Sequence, residues 1–196
     1  MAIVTIIGAD MMGSALAFPA RESGNEVRLV GTHLDREIIE TCRKTGRHPK
    51  FKTDFPTGVT YYQIEEMEHA IEGADLIIGG VSSFGVEWFG DFVLPKIPDS
   101  IPVLSVTKGL LDMPDGKLLC YPEVWQKKLD AIGSHVELNA IGGPCTSYEL
   151  VAHDQTEVTF CGKNLRTLER LKQIMATDYY ISVFLPMLSG SSRRSR

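Results

Sequence analysis

Short apolar runs rich in β-branched residues alternate with longer amphipathic stretches along most of the chain. The short runs predict eight strands, at residues 3–7, 26–30, 59–61, 76–81, 103–106, 137–141, 157–161 and 179–184. The longer stretches predict helices at residues 12–23, 34–44, 64–72, 86–94, 118–131 and 164–176. This alternation is typical of consecutive βα units, so we predict an α/β fold with a doubly wound, mostly parallel sheet and helices on both faces.

The first predicted strand leads directly into a glycine-rich turn, Gly-Ala-Asp-Met-Met-Gly at residues 8–13. Such a turn between a strand and a helix is the dinucleotide-binding fingerprint of Rossmann-type folds. Gly8 would make the tight turn, and Gly13 would let the helix pack closely on the strand. The backbone N–H groups of Met11 and Met12 would face the pyrophosphate of a cofactor at the helix N-terminus.

Asp10 stands in the place of the middle glycine of this fingerprint, where the backbone normally approaches the pyrophosphate. Two like charges about 4 Å apart repel by roughly 4 kcal/mol at an effective dielectric constant near 20, and by roughly 1 kcal/mol in water. Two outcomes are open from the sequence. The carboxylate either impairs cofactor binding, or it turns to solvent or caps the following helix and leaves binding intact.

The end of the second predicted strand carries no acidic residue to accept hydrogen bonds from the ribose 2′-hydroxyl of NAD. Thr32 and His33 stand there instead, and Arg36 is near enough in sequence to meet the 2′-phosphate of NADP. NAD and NADP are therefore both open as cofactors. In the alternative interpretation, Thr32 only caps the next helix, together with Asp35, and His33 is an exposed loop residue.

Composition and charge narrow the class of protein. The 196 residues, 43% of them hydrophobic, suit one globular domain, and the formal net charge of −5 argues against nucleic acid as a partner. The chain has neither an apolar run of roughly 20 residues nor a basic N-terminal segment, so we expect a cytoplasmic protein without a membrane span. The four cysteines form no C-x-x-C pair, which predicts reduced thiols and no metal site.

Several segments in order resemble the family of NAD-dependent glycerol-3-phosphate dehydrogenases. They are G-A-D-M-M-G-S-A-L at residues 8–16, V-G-T-H-L-D at 30–35, V-S-S at 81–83, S-V-T-K-G-L at 105–110 and I-G-G-P at 141–144. The T-K-G and G-G-P segments are more specific than the glycine-rich turn. The resemblance implies hydride transfer between NAD(P)H and dihydroxyacetone phosphate or glycerol 3-phosphate. A ketopantoate reductase is a weaker alternative, because these two segments fit it less well.

The resemblance also implies roles for particular residues. Lys108 matches a family lysine that reaches toward the substrate and the nicotinamide. It is therefore expected in both the substrate-binding and the cofactor-binding site. Gly143, Cys145 and Ser147 lie in the loop that contacts substrate phosphate and cofactor, with Gly143 and Cys145 on the substrate side and Ser147 on the cofactor side. The remaining residues of the predicted cofactor site are Ser82, Ser83 and Phe84, the last in a place where relatives often carry histidine.

The resemblance assigns residues 1–185 to the Rossmann-type cofactor domain. The turn and linker composition of residues 186–196 predicts a flexible tail. The family's helical domain, which supplies the general-base lysine and grips the substrate phosphate, has no counterpart here. We therefore expect this chain alone to be inactive and to meet a three-carbon phosphorylated substrate only if a helical domain is supplied. A homo-oligomer, a truncated product, and a non-catalytic nucleotide-binding or interaction domain also stay open.

Overall fold

The computed structural model describes residues 1–114 and 116–186, which contain ten strands. In chain order they are β1 (Ile3–Ile7), β2 (Glu26–Val30), β3 (Val59–Tyr62), β4 (Leu76–Gly79), β5 (Val103–Ser105), β6 (Leu110–Asp112), β7 (Leu118–Cys120), β8 (Leu138–Gly142), β9 (Thr156–Gly162) and β10 (Tyr180–Pro186). All eight predicted strands are confirmed, with ends that differ from the predicted ones by two residues at most. The additional strands β6 and β7 form a separate antiparallel hairpin.

Seven α-helices connect the strands. They are α1 (Met11–Glu22), α2 (Arg36–Thr45), α3 (Met67–Ile71), α4 (Val86–Trp88), α5 (Tyr121–Ile132), α6 (Ser147–Val151) and α7 (Leu165–Met175). A 3-10 turn at Ile64–Glu66 leads into α3, and another at Ser83–Gly85 leads into α4. After α4 the chain continues as a π-helical segment, Phe89–Val93, and a 3-10 turn, Leu94–Lys96.

The sheet has the strand order β10-β9-β8-β5-β4-β1-β2-β3. Every neighbouring pair is parallel except β8 and β9, which confirms the predicted doubly wound and mostly parallel sheet. The chain leaves β1 toward β2 on one side and later returns to pair β4 on the other side of β1. The strand order therefore reverses at β1, and open α/β sheets bind ligands in the crevice above such a switch point.

Two buried clusters, one on each face of the sheet, hold the layers together. One cluster gathers apolar side chains of α1, α2, α6 and α7, and its largest fully buried ring is Tyr180 of β10. The other gathers α3, α4, the π-helical segment and α5 around the stacked rings of Phe89 and Trp125. Because β1 contributes Ile6 to the first cluster and Ile7 to the second, its pleat is buried on both faces, as expected for an interior parallel strand.

Several sequence-based assignments are wrong. Helix α6 was not predicted, and the helix expected at residues 86–94 is an α-helix only at Val86–Trp88. The helix expected at residues 118–131 begins only at Tyr121, because Leu118–Cys120 is extended and pairs with Leu110–Asp112. Two adjacent leucines fit the helical period of the following residues equally well, so the pattern alone did not separate them. Pro186, expected to begin the tail, is the last residue of β10. The rest of the expected tail, residues 187–196, lies outside the described residues.

The two edges of the sheet differ in chemistry. At the β3 edge, the guanidinium of Arg43 donates hydrogen bonds of 3.1 and 3.0 Å to the carbonyl oxygen of Tyr61. Strand β10 at the other edge contains no charged residue, and Ile181, Val183 and Leu185 on one of its faces are exposed. None of the helices that the structure describes is long and apolar enough to cross a membrane.

Candidate functional site

Three glycines bring the turn after β1 against the end of β4. Gly8 has a φ of +113°, and a Cβ there would lie 2.7 Å from the Gly80 carbonyl carbon. A Cβ on Gly80 would lie 2.8 Å from Cα of Gly13 and 2.9 Å from the Gly8 carbonyl oxygen. Only glycine fits these contacts without movement of the backbone. Gly8 and Gly13 thus have the structural roles that the sequence predicts, and Gly80 is an additional partner.

Two cavities of about 360 Å³ each open on this turn and share Asp10, Gly80, Val81 and Ser82. The first, called here the β2-side cavity, lies at the end of β2; its lining includes Gly8, Thr32, His33, Lys50, Phe84 and Trp88. The second, the β5-side cavity, is lined among others by Met11, Met12, Ser83, Lys108 and Cys145. Each volume lies within the range typical of small-molecule sites.

Asp10 forms an ion pair with Lys50, at 3.0 Å between Oδ1 and Nζ. Asp10 holds the N-cap position of α1, but its side chain makes no capping hydrogen bond. Partial burial alone would raise the pKa of Asp10, but hydrogen bonds from Lys50 and from the backbone N–H of Met11, together with the positive charge of Lys50, outweigh it, so the pKa lies below its usual value. The carboxylate is thus ionised, 56% exposed and paired with Lys50, so it turns toward solvent as one sequence-based alternative has it, and the pairing with Lys50 is additional.

A buried histidine anchors the segment that carries Lys50. His48 is fully buried, with Nε2 3.1 Å from the carbonyl oxygen of Ala9, and its Nδ1 lies 3.1 Å from the backbone N–H of Lys50. The first contact needs a proton on Nε2 and the second needs a bare Nδ1, so the ring is neutral. Burial lowers the pKa of His48, which favours the same state. The loop after α2 is therefore fixed to the glycine-rich turn.

The predicted contact between Thr32 and Asp35 forms, but it lies before the helix rather than in its first turn. Asp35 is 6% exposed and occupies the N-cap position of α2. Its Oδ2 accepts hydrogen bonds from the Thr32 backbone N–H at 2.8 Å, the Thr32 hydroxyl at 2.8 Å and the Ala9 N–H at 3.1 Å. This carboxylate therefore joins the end of β2 to the turn after β1.

Arg36 does not line either cavity, because its guanidinium forms an ion pair with Glu65. The sequence-based suggestion that Arg36 meets a 2′-phosphate therefore finds no support in its position. His33 does line the β2-side cavity, where its ring lies 5.7 Å from that of Trp88.

On the β5 side, Lys108 and Gly143 are brought together as the sequence suggests. The ammonium of Lys108 donates a hydrogen bond to the carbonyl oxygen of Gly143, whose φ is +121°. Ser147 is the first residue of α6 and is not among the residues that line either cavity.

Burial, followed by the negative charge of Glu149, raises the pKa of the Cys145 thiol to about 11, so Cys145 is no nucleophile at neutral pH.

No group of three histidine, cysteine or acidic side chains able to hold a metal ion occurs in the part of the chain that the structure describes. The fold and the site together define a dinucleotide-binding protein of the Rossmann type. Residues 3–168 match the family model described as NAD-dependent glycerol-3-phosphate dehydrogenase N-terminus, and the chain belongs to this family. It corresponds to the family's N-terminal NAD(P)-binding part.

Comparison with individual proteins supports the same family. The chain is similar to the NADP(+)-dependent glycerol-3-phosphate dehydrogenase of Archaeoglobus fulgidus, with 36% identity over 179 residues, 91% of this chain and 52% of that protein. Its fold is similar to solved glycerol-3-phosphate dehydrogenases of Coxiella burnetii (TM-score 0.79, 20% identity, 94% of this chain and 54% of that one) and Plasmodium falciparum (TM-score 0.81, 16% identity, 94% and 52%). The chain thus spans about half the length of these relatives.

Proposed function

We propose that this chain is the cofactor-binding part of a glycerol-3-phosphate dehydrogenase, an oxidoreductase that interconverts dihydroxyacetone phosphate and glycerol 3-phosphate. The observation that carries the proposal is the pair of cavities that meet at Asp10 and Gly80 above the switch point, together with the family match over residues 3–168. A bound nicotinamide supplies or accepts the hydride. The chain itself binds and orients the cofactor.

The two cavities suit the two halves of the cofactor. The β2-side cavity is the place for the adenosine half, because the ribose in this fold is bound at the end of the second strand. Thr32 and His33 lie there, and Phe84 borders the opening. The β5-side cavity is then the place for the nicotinamide half, with Ser83 and Lys108 beside it. Gly8, Asp10, Met11, Met12, Gly13 and Ser82 complete the proposed cofactor-binding set. Ser147 lines neither cavity and belongs to the proposed set through the resemblance alone.

Lys108, Gly143 and Cys145 form the proposed substrate side. The Lys108 ammonium is held by the Gly143 carbonyl oxygen, and a cation in this position would stabilise negative charge that develops on the substrate oxygen. Cys145 lines the same cavity and contributes only a weak hydrogen-bonding group.

The full reaction needs residues beyond those found here. In the family a lysine of the helical domain acts as general base, and such a group contributes roughly 100-fold to 10,000-fold in rate. Since the chain spans about half the length of its relatives, we propose that residues 1–185 bind cofactor but turn over substrate negligibly until a helical domain is supplied. The four free cysteines support the further proposal of a cytoplasmic location.

Titration with NADH and NADPH tests the proposal. Trp88 lines the β2-side cavity, so its fluorescence should fall as either cofactor binds, and calorimetry should give the same affinity. Gly8→Ala should abolish binding. Gly24→Ala is its matched control, because Gly24 also has a positive φ, +87°, but nothing lies within 4 Å of its added Cβ. Addition of the separately produced C-terminal half of the A. fulgidus relative should bring oxidation of NADPH by dihydroxyacetone phosphate above background.

A non-catalytic nucleotide-binding or interaction domain is the second candidate. Phe84 favours it, because its side chain is 97% exposed at the mouth of the β2-side cavity. If neither cofactor binds at millimolar concentration, the dehydrogenase proposal fails and the interaction domain gains support.

Self-association is a further part of the proposal. The exposed side chains of Ile181, Val183 and Leu185 form an apolar face on the edge strand β10. Edge strands without charged residues readily pair with other chains. Sedimentation of wild type and Val183→Lys tests this, since the lysine should favour the monomer.

A further inference from the structure

His153, just after helix α6, has a backbone conformation that favours glycine. Its φ is +59°, and among the described residues it is the only non-glycine residue with a positive φ. A side chain makes this left-handed conformation unfavourable, whereas glycine adopts it readily. The imidazole of His153 therefore needs contacts that compensate for the strain of its backbone.

The imidazole makes these contacts with the end of α1, the helix that begins at the glycine-rich turn. Nε2 of His153 lies 2.9 and 3.1 Å from the two carboxylate oxygens of Glu22, which can only accept, so Nε2 carries a proton and donates. The Tyr179 hydroxyl donates to the same carboxylate at 2.6 Å. The His153 ring also lies edge-on to the rings of Tyr179 and Phe18, at 4.6 and 6.2 Å between centroids. His153 thus joins α6 to α1 and to the start of β10.

The segment that His153 holds carries the proposed substrate side. Residues 143–155 connect the antiparallel strands β8 and β9, and α6 lies within this connection. Gly143, whose carbonyl oxygen holds Lys108, is its first residue. Cys145 comes one residue before the N-cap of α6 and lines the β5-side cavity. The position of α6 therefore determines the position of one wall of that cavity.

Helix α6 is too short to keep its position unaided. It has five residues, and isolated helices of this length are unstable in water because nucleation is costly. Its position depends on tertiary contacts, which are made by the fully buried side chain of Leu150 and by His153 at its end. The His153 side chain is 46% exposed, so its removal opens no cavity in the core.

We propose that His153 is a positioning residue: through Glu22 it fixes α6 on α1 and thereby places the substrate-side loop, residues 143–146, beside the nicotinamide half of the cofactor. The inference rests on the proposed function, since it concerns the same cavities. Within the part of the chain that the structure describes, no residue of this loop lines the β2-side cavity, so binding of the adenosine half should not depend on His153.

The first test follows the loop without any ligand. Alkylation by iodoacetamide, resolved for each cysteine by mass spectrometry, reports the exposure of Cys145, and Cys161 on β9 and the buried Cys42 are references in the same molecule. Loss of one hydrogen bond in His153→Gly should label Cys145 about fivefold faster and leave both references unchanged. Glu22→Gln should do the same, and the double variant should add little, because both changes break one contact.

The second test compares a ligand that reaches the loop with one that does not. NADH fills both cavities in the proposed function, whereas ADP-ribose lacks the nicotinamide. In calorimetric titration, His153→Gly should bind NADH about fivefold more weakly and ADP-ribose as wild type does. His69→Ala is the matched control and should change neither affinity, because His69 also pairs with a glutamate, Glu72 at 3.4 Å, but lies on α3 and lines neither cavity.

The outcomes separate positioning from stability. If Cys42, Cys145 and Cys161 all label faster together, His153 only stabilises the fold and the proposal is overturned. An unchanged Cys145 rate, or equal losses of affinity for NADH and ADP-ribose, also overturns it. If wild type binds neither ligand, the proposed function fails, while the cysteine rates still decide whether His153 positions the loop.

Discussion

Gly80→Ala places a methyl group between the two backbone segments that form the candidate site. The added Cβ would lie 2.8 Å from Cα of Gly13 and 2.9 Å from the carbonyl oxygen of Gly8. Comfortable carbon–oxygen contacts are about 3.3 Å or longer, so the turn and the start of α1 must move away from β4 by roughly half an ångström. Both neighbours are backbone atoms, and no side chain can rotate to make room.

Two effects of this substitution oppose each other. Replacing glycine by alanine stabilises by about 0.4–1 kcal/mol, because the unfolded chain loses conformational freedom. Overpacking a well-packed region costs about 1–3 kcal/mol. The destabilisation by overpacking exceeds the entropic stabilisation, so we expect a net loss of about 1–2 kcal/mol in the free energy of unfolding. For a chain of this length, such a loss lowers the melting temperature by about 2–8 °C.

Thermal melting of the variant, together with cofactor titration, measures both consequences. Gly142→Ala is a matched control, because the nearest atom to its added Cβ is 3.8 Å away. It should melt within about 2 °C of wild type, as expected for a change of about 0.5 kcal/mol. The steric reasoning is refuted if Gly80→Ala melts at or above the wild-type temperature and binds cofactor equally well.

Three further predictions concern the residues around the turn. Asp35→Ala leaves the buried N–H groups of Ala9 and Thr32 without their acceptor, so the free energy of unfolding from denaturant titration should fall by about 2 kcal/mol or more; an unchanged midpoint would contradict this. Because burial lowers the pKa of His48, the unfolded chain binds the extra proton more readily, and stability is lost as the pH falls from about 6.5 toward the folded-state pKa. His48→Gln keeps a donor for Ala9 but cannot titrate, so melts at several pH values should show a smaller loss for the variant, and parallel curves would speak against it. Cys145, with a pKa of about 11, should be alkylated slowly at about pH 8 and faster at higher pH, as followed by site-resolved mass spectrometry; rapid labelling at neutral pH would be inconsistent with its burial.

The sequence predicted the sheet well because its strands are short apolar runs, which is the pattern expected of parallel strands in a buried sheet. The strands of the sheet are runs rich in apolar side chains that pack against the helical layers, and such runs are conspicuous in a sequence. The small hairpin of β6 and β7 was missed because each strand has only three residues and packs few side chains. Short strands of this kind carry no periodic signal, and Leu118 and Leu119 joined the following helix in the prediction.

The sequence predicted residues of the candidate site only where they belong to one short motif. Gly8 and Gly13 belong to a single motif, and T-K-G places Lys108 directly after β5. The pairing of Asp10 with Lys50 joins a turn to a loop 40 residues away, and nothing in either segment specifies the other. Gly80 was missed for a similar reason: it follows β4, whereas its neighbours Gly8 and Gly13 follow the partner strand β1 much earlier in the chain.

The contact between Gly8 and Gly80 also affects the order in which parts of the protein fold during synthesis. Strand β1 pairs with β4, and Gly80 donates its backbone N–H to the carbonyl oxygen of Ile7 at 2.8 Å. Contacts between segments so distant in sequence form slowly, because the intervening loop must close first. A nascent chain that ends before β4 thus has the glycine-rich motif but not the surface behind it. During synthesis, we expect the capacity to bind nucleotide to emerge only after β4 has left the ribosome.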